Sequence, residues 1–299
     1  MAEGPEFQTT SVNSASCSRG IALVAVLWVL SLLAAIAAGF ATTMRTETVV
    51  ARNQIDNAEA RALADAGFHQ VILALTTEGS ALPRDGTVRE WVFAGGTVMI
   101  SVQAESGKID LNRAGPELLA GLFAAAGAVD PHGLANRVVD FRDADDEPLP
   151  GGAEDSDYRA AGLSQDAKDR PFERRDELLQ VMGVTREIYD AVAPAVTVYS
   201  RSNGVDPATA PAAALAALPG MGQGSAEALA AQRQGRAAED LRGQLGDSPY
   251  LVASSIPIIT VRAEATTAGG AVFVREGVVA LTPGLRRPFH VLTWEQGTR

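Results

Sequence analysis

Hydrophobic and polar positions are spread very unevenly along this chain. Residues 18–45 read SRGIALVAVLWVLSLLAAIAAGFATTMR, with no charged side chain between Arg19 and Arg45. The 25 uncharged residues from Gly20 to Met44 are enough, at about 1.5 Å per residue, to cross a hydrocarbon layer roughly 30 Å thick. The stretch is therefore a membrane span or an export signal. An export signal would be cut after small residues, and Ala35-Ile36-Ala37 offers such a place. The pattern does not end there, because Gly39–Met44 stays uncharged and TETVVARNQIDNAEARALADAGFHQVILAL (46–75) reads as a helix. It lacks proline, is rich in alanine, and sets Val50, Ile55, Leu63, Ala66 and Val71 at mostly helical offsets. Span and continuation together predict one helix of more than 50 residues.

Beyond Gly79 comes the turn-rich SALPRDG, then TVREWVF and GTVMISVQAE separated by Ala94-Gly95, a pattern that predicts an antiparallel hairpin. From Asp110 to about Tyr250 the pattern becomes Ala/Leu-rich and helical: PELLAGLFAAAG, GLANRVVDFR, RDELLQVMG, REIYDAVAPAV, APAAALAALPG and GSAEALAAQR, punctuated by proline and glycine. Strand character returns at IPIITVRAEAT, AVFVREGVVALT and RPFHVLTWEQ. Two strands alone are marginal in water, so the early hairpin is expected to join the late strands in one sheet. The predicted fold class is α+β: a long N-terminal helix packed on an antiparallel sheet, with a large all-α domain inserted between strands. That block holds internal echoes. IDLNRAGPELLAGL (109–122) and VDPATAPAAALAAL (205–218) share an aspartate placed to help cap a helix, and a proline, Pro116 or Pro211, suited to its first turn. LLQVMGVTREIYDAVAP and LAALPGMGQGSAEALAA both read as helix, glycine turn, helix.

Composition narrows the possible chemistry. Of 299 residues, 25 are basic and 36 acidic, a net charge of −11 that opposes general attraction to phosphate backbones. Helix-hairpin-helix units often hold nucleic-acid phosphate on backbone amides, so a membrane-anchored DNA receptor of the competence type is the rival function. Around Pro219-Gly220-Met221-Gly222, however, the nearest following base is Arg233 and Glu227 comes first, so packing is the stronger reading and no nucleic-acid partner is expected. The lone Cys17 excludes an intramolecular disulfide, and it precedes the apolar run, so it does not read as a lipid-anchored cysteine. His69, His132 and His290 are far apart and lack thiol neighbours, which argues against zinc.

The densest chemistry is DFRDADDEPLPGGAEDSDY, residues 140–158, where eight carboxylates face the single cation Arg142 apart from the segment's flanks. Such repulsion is relieved by solvation or by a cation. Calcium takes roughly six to eight oxygen ligands from flexible loops, and Asp143 and Asp145 followed by the Gly151-Gly152 turn can wrap one. The segment is not an EF-hand, since counting from Asp143 puts Pro148 where glycine is required. No nucleophile motif or phosphate loop accompanies these carboxylates, and no enzymatic activity is expected.

The short polar leader ending at Gly20, the apolar helix beginning at Ile21 and its amphipathic continuation resemble type IV pilins and type II secretion pseudopilins. The resemblance implies cleavage between Gly20 and Ile21 by a prepilin peptidase and methylation of the new Ile21 N-terminus, although phenylalanine is usual after the cut. Most members carry glutamate at the fifth mature position; here it is Ala25. A buried carboxylate needs a partner, and a subunit with none above it has no ammonium to pair, so Ala25 marks a filament tip. Arg19-Gly20, the LVAVLWVL run, the inserted helical block and GGAED (151–155) resemble the K-type minor pseudopilins, the GspK family. That resemblance implies calcium bound by Asp143, Asp145, Glu154 and Asp157, with Asp140, Asp146 and Asp155 as further candidates. It also implies partners among the I- and J-type minor pseudopilins, and a single pass through the bacterial inner membrane with the globular part in the periplasm. The expected divisions are a leader (1–20), a transmembrane part (21–44), a periplasmic helix with the first strands (45–104), the inserted α domain (105–252) and the last strands (253–299).

Overall fold

The computed structural model describes residues 17–77, 82–233, 238–246, 248–253, 257–282 and 284–298; of the expected leader (1–20), residues 1–16 lie outside them. Helix α1 (Cys17–Thr76) is followed by β1 (Asp85–Phe93), β2 (Gly96–Ala104) and the two-residue β3 (Ile109–Asp110). Next come α2 (Pro116–Ala125), α3 (Pro131–Asp140), α4 (Asp155–Ala160), α5 (Arg186–Val192), the two-residue β4 (Val196–Thr197), α6 (Ala212–Ala216), α7 (Gln223–Gln232) and α8 (Ala238–Leu245). Strands β5 (Ile258–Thr266), β6 (Val272–Leu281), β7 (Phe289–Val291) and β8 (Glu295–Gln296) close the chain.

The chain divides after Ala58 into two units. In the first, α1 exposes Leu27, Trp28, Leu33 and Phe40, with Trp28 75% accessible. Among the described residues, α1 is the one helix long and apolar enough to cross a membrane.

In the second unit, the last five turns of α1 bury Ala60, Leu63, Ala64, Phe68, Val71 and Ile72, a stripe at i, i+3, i+4, i+7 and i+8 spacings. The stripe packs on Val98, Ile100 and Val102 of β2, on Ile259, Val261, Ala263 and Ala265 of β5, and on Val279 and Leu281 of β6. Of the positions expected on the apolar side of the helix, Leu63 and Val71 are in this core, Ala66 is half-buried, and Val50 and Ile55 are exposed in the first unit. The sheet runs β1-β2-β5-β6-β7, antiparallel throughout, so the early hairpin does pair with the late strands. Ala94 and Gly95 turn the first hairpin with φ of 48° and 82°, the double positive φ whose twist matches the strands it joins.

Three sequence-based expectations change. RPFHVLTWEQ is not one strand: Val279 faces Val291 but Arg275 faces Gln296, a register offset of one residue, and both Leu292 and Thr293 N–H donate to Val278 O. The extra residue is a bulge that splits the segment into β7 and β8, both on β6. RDELLQVMG forms a 3₁₀ turn (Arg175–Gln180), burying only Leu178. The insertion between β2 and β5 is mainly helical but contains the parallel pair β3–β4, with Ile109 opposite Val196.

The insertion has its own core, which includes Leu118, Phe123, Leu134, Phe141, Tyr158 and Leu215, all nearly inaccessible. The echoed aspartates close turns ahead of their helices. Asp110 Oδ1 accepts Asn112 N–H at 2.8 Å and its carbonyl accepts Ala114 N–H; Asp206 does the same with Ala208 and Ala210. The N-cap positions themselves fall to Gly115 and Pro211. An arginine grips each turn from the following hairpin. Arg142 donates to Leu111 O and Ala114 O, while Arg233 donates to the equivalent Pro207 O and Ala210 O. Arg233 also reaches Asp85 O, and Gln103 Nε2 donates to Thr209 O at 2.7 Å, so the second hairpin is fastened to the β1–β2 end of the sheet. Beside it, buried Lys108 donates to Glu105 (2.6 Å) and Thr260, and Thr197 donates to the other Glu105 oxygen. A buried pair with every partner satisfied fixes one arrangement more than it adds net stability.

Candidate metal centre

The acidic segment is shaped by α3, which ends at Asp140, and by α4, which begins after Glu154. Fully buried Asp140 accepts Leu149 N–H at 3.2 Å and Ala153 N–H at 2.8 Å, folding residues 143–153 back against the end of α3. A Cβ on Gly152 would overlap Asp140 Oδ2, so this clasp requires glycine there. At the start of α4, Glu154 N–H donates to Asp157 Oδ2 at 3.0 Å, which fixes the Glu154 backbone.

The fold thereby gathers Asp143, Asp145 and Glu154, each with a carboxylate oxygen within 4.8 Å of the others. Asp145 is exposed and Asp143 half-buried, whereas Glu154 is only 3% accessible. Both Glu154 carboxylate oxygens and Asp143 Oδ1 are buried without a hydrogen-bond partner; Glu154 and Asp157 are placed as in a capping box, but the Asp157 N–H donates to Glu154 O at 2.8 Å and not to the carboxylate. Buried acceptors are ordinarily satisfied, and an unpaired one costs about 1–3 kcal/mol. Burial, followed by repulsion from Asp140 and Asp143, pushes the Glu154 carboxyl up to about 7. Burial likewise raises Asp143 and Asp140, with neighbouring carboxylates adding to it. The segment's arginine offers little relief: Arg142 is turned onto Leu111 O and Ala114 O, and its charge lowers Asp143 by less than burial and the neighbouring carboxylates raise it.

Of the expected ligands, Asp143, Asp145 and Glu154 converge. Asp157 lies outside that group, with Oδ2 committed to the Glu154 amide. Asp140 serves as the clasp, Asp155 is bonded to Arg159 and Ala167 N–H, and Asp146 is exposed. Orphaned carboxylate oxygens without a nitrogen or sulfur donor suit a hard divalent cation, and the residues present fit calcium on that ground. The clasp role of Asp140 and the requirement for Gly152 were not legible in sequence, where the Gly151-Gly152 pair read only as a turn. Farther along α1, Ile21 and Ala25 lie on its exposed surface, and Gly20 is within the helix. The cleft at the α6–α7 turn is lined by Glu117, His132, Gly220, Met221, Gly222 and Gln223 among others, and no lysine or arginine lines it among the described residues.

A helix laid on an antiparallel sheet, with a helical unit carrying an acidic cage spliced between two strands, is the frame within which the family match falls. Residues 101–201, from within β2 to just beyond β4, match the family described as Type II secretion system (T2SS), protein K. Those residues therefore carry the protein K domain of that family, and the same chain has in α1 a helix long and apolar enough to cross a membrane. The fold is similar to that of a solved chain in the GspK–GspI–GspJ complex of the enterotoxigenic Escherichia coli type 2 secretion system. Identity is 18%, the TM-score is 0.54, and the match covers 86% of this chain and 99% of that one. No curated protein matches.

Proposed function

We propose that the chain is a K-type minor pseudopilin of type II secretion that caps the tip of a short periplasmic pseudopilus, together with I- and J-type minor pseudopilins, and that calcium stabilises its inserted helical unit. The observation that carries the calcium reading is the three buried, partnerless carboxylate oxygens of Asp143 and Glu154. Asp143, Asp145 and Glu154 would hold the ion, which supplies the positive charge that the folded loop lacks. Titration calorimetry of the full chain in detergent is expected to give calcium-dependent heat and a raised melting temperature. Neither effect in calcium would sink the reading.

For the tip, the supporting feature is Ala25 where a shaft subunit would carry glutamate. Before assembly α1 rests in the inner membrane with the second unit in the periplasm, and a prepilin peptidase cuts between Gly20 and Ile21. Mass spectrometry of the mature N-terminus tests this: methylated Ile21 is the expected species, whereas an N-terminus at Ala38 or an intact leader would overturn it. The role is structural and not enzymatic. DNA binding is not part of it, and salt-dependent gel shifts should show no complex.

A further inference from the structure

The two edges of the sheet are built differently. One is broken into three-residue β7 and two-residue β8 by a bulge, which blunts it against further pairing. The opposite edge, β1, has a register shift of its own between Asp85 and Val88, but from Val88 to Phe93 it pairs regularly with β2 and has no strand beyond it among the described residues. Because Phe93 and Gly96 flank a two-residue turn, they form a hydrogen-bonded pair, and so do Trp91–Val98 and Arg89–Ile100. The backbone N–H and C=O groups of Val88, Glu90 and Val92 therefore point outward from the sheet.

A second observation lies on the α1 side of this edge. A mostly apolar cavity of about 210 Å³ opens between α1 and β1, lined by Val71, Ala74, Leu82, Pro83, Trp91 and Ile100 among others. Trp91 stacks on Phe93 at 4.7 Å, which holds that wall in place. At the rim stand Arg89 and Glu90, whose side chains take opposite faces of the strand by alternation; Arg89, exposed on the same side as Trp91, has no ion-pair partner among the described residues although the protein carries a net charge of −11.

We infer that β1 is a docking edge for an extended segment of another minor pseudopilin, which adds a strand to the sheet, fills the cavity with one apolar side chain and sets a carboxylate opposite Arg89. Main-chain pairing gives affinity, and the cavity with its arginine selects the segment, as in other cases of strand addition. The unpaired cation on an acidic protein is what calls for an acidic rather than a basic or neutral strand. This inference rests on the reading that the chain assembles with I- and J-type pseudopilins.

The test is hydrogen exchange on the full chain in detergent, alone and co-purified with the I- and J-type pseudopilins of its own system. The Val88, Glu90 and Val92 amides are expected to slow by about tenfold or more in the complex, while the already paired Trp91 amide changes little. Glu90→Pro, which removes an outward donor without a β2 bond, and Arg89→Glu are each expected to weaken the complex at least about tenfold with the melting temperature of the free chain unchanged. If the complex forms and those three amides exchange as fast as in the free chain, the docking edge is refuted and the partner reading stands. If no complex forms with the unaltered chain, the partner reading fails and the inference falls with it.

Discussion

Glu154→Gln should stabilise the protein without calcium and destabilise it with calcium. Glutamine keeps the shape and the burial but removes the charge. In the folded chain the Glu154 carboxyl titrates near 7, against 4.5 when unhindered. Below pH 4.5 it is protonated in both folded and unfolded chains, and its contribution to stability is fully present. Between pH 4.5 and 7 the unfolded chain has released a proton that the folded chain retains, so stability falls as pH rises, and above 7 the contribution is gone. The distance from 4.5 to about 7 corresponds to about 3 kcal/mol at the limit. Water reaching the loop past exposed Asp145 screens it to about 1–2 kcal/mol. At pH 8 in chelator the variant should therefore melt higher than the unaltered protein, by roughly 2–8 °C for a unit of this size. Its melting temperature should also fall less between pH 5 and 8. A residual slope is expected, because Asp143 and Asp140 are raised in the same direction. With calcium at about a thousand times its Kd, binding adds about 4 kcal/mol to the unaltered protein and much less to a variant lacking a ligand charge, so the order of melting temperatures reverses. Calorimetric melts of both full chains at pH 5 and 8, with and without calcium, decide it. A Glu154→Gln chain that melts no higher than the parent in chelator at pH 8 would refute the account of the cage as three uncompensated oxygens.

Three further substitutions probe the frame around the cage and the insertion. Asp140→Asn leaves the three gathered carboxylates in place but weakens the acceptor for Leu149 and Ala153 N–H and removes a neighbouring negative charge; calcium affinity by calorimetry should fall about tenfold, whereas the melting temperature in chelator should change by less than that of a core variant. Gly152→Ala drives a methyl into Asp140 Oδ2, and should cost about 1–3 kcal/mol in urea denaturation together with calcium binding. Arg233→Met removes the bonds to Pro207 O, Ala210 O and Asp85 O, leaving buried acceptors behind; a loss of about 2–4 kcal/mol is expected, read as a lower urea midpoint.

The pattern of apolar residues carried the architecture because sheet and helix each impose a period that side chains must satisfy in place. Val98, Ile100 and Val102 alternate on β2 as the hairpin reading required, and Leu63 and Val71 recur on α1 at helical spacing. Local signals of this kind fail where one tertiary contact decides the outcome. Nothing within RPFHVLTWEQ marks the bulge, which exists because Val278 O accepts from two successive amides. RDELLQVMG has helical composition, yet Arg175 is drawn to Glu276 on the sheet at 2.7 Å and the segment tightens into a 3₁₀ turn. At the cage, the acidic residues were visible but their division of labour was not. Asp140 and Asp157 look like ligands on paper, and only the position of Leu149, Ala153 and Glu154 amides turns them into parts of the frame.

That division connects the cage to the echoed hairpins. Arg142 is the one cation among the acidic residues of the segment, and in isolation it would be expected to neutralise them. It is instead the arginine that grips the IDLNRA turn, as Arg233 grips the VDPATA turn. The repeated architecture thus holds the guanidinium on backbone carbonyls, where it offsets only part of what burial and neighbouring carboxylates do to Asp143, and leaves Asp143, Asp145 and Glu154 to an external cation. An Arg142→Met chain separates these roles. If the arginine serves the turn, the variant loses stability equally in chelator and in calcium, and its calcium affinity stays within about threefold of the parent, apart from a small gain from removing a positive charge. If the arginine neutralises the cage, the variant binds calcium far more tightly and is destabilised mainly in chelator, and the link between repeat and cage is wrong.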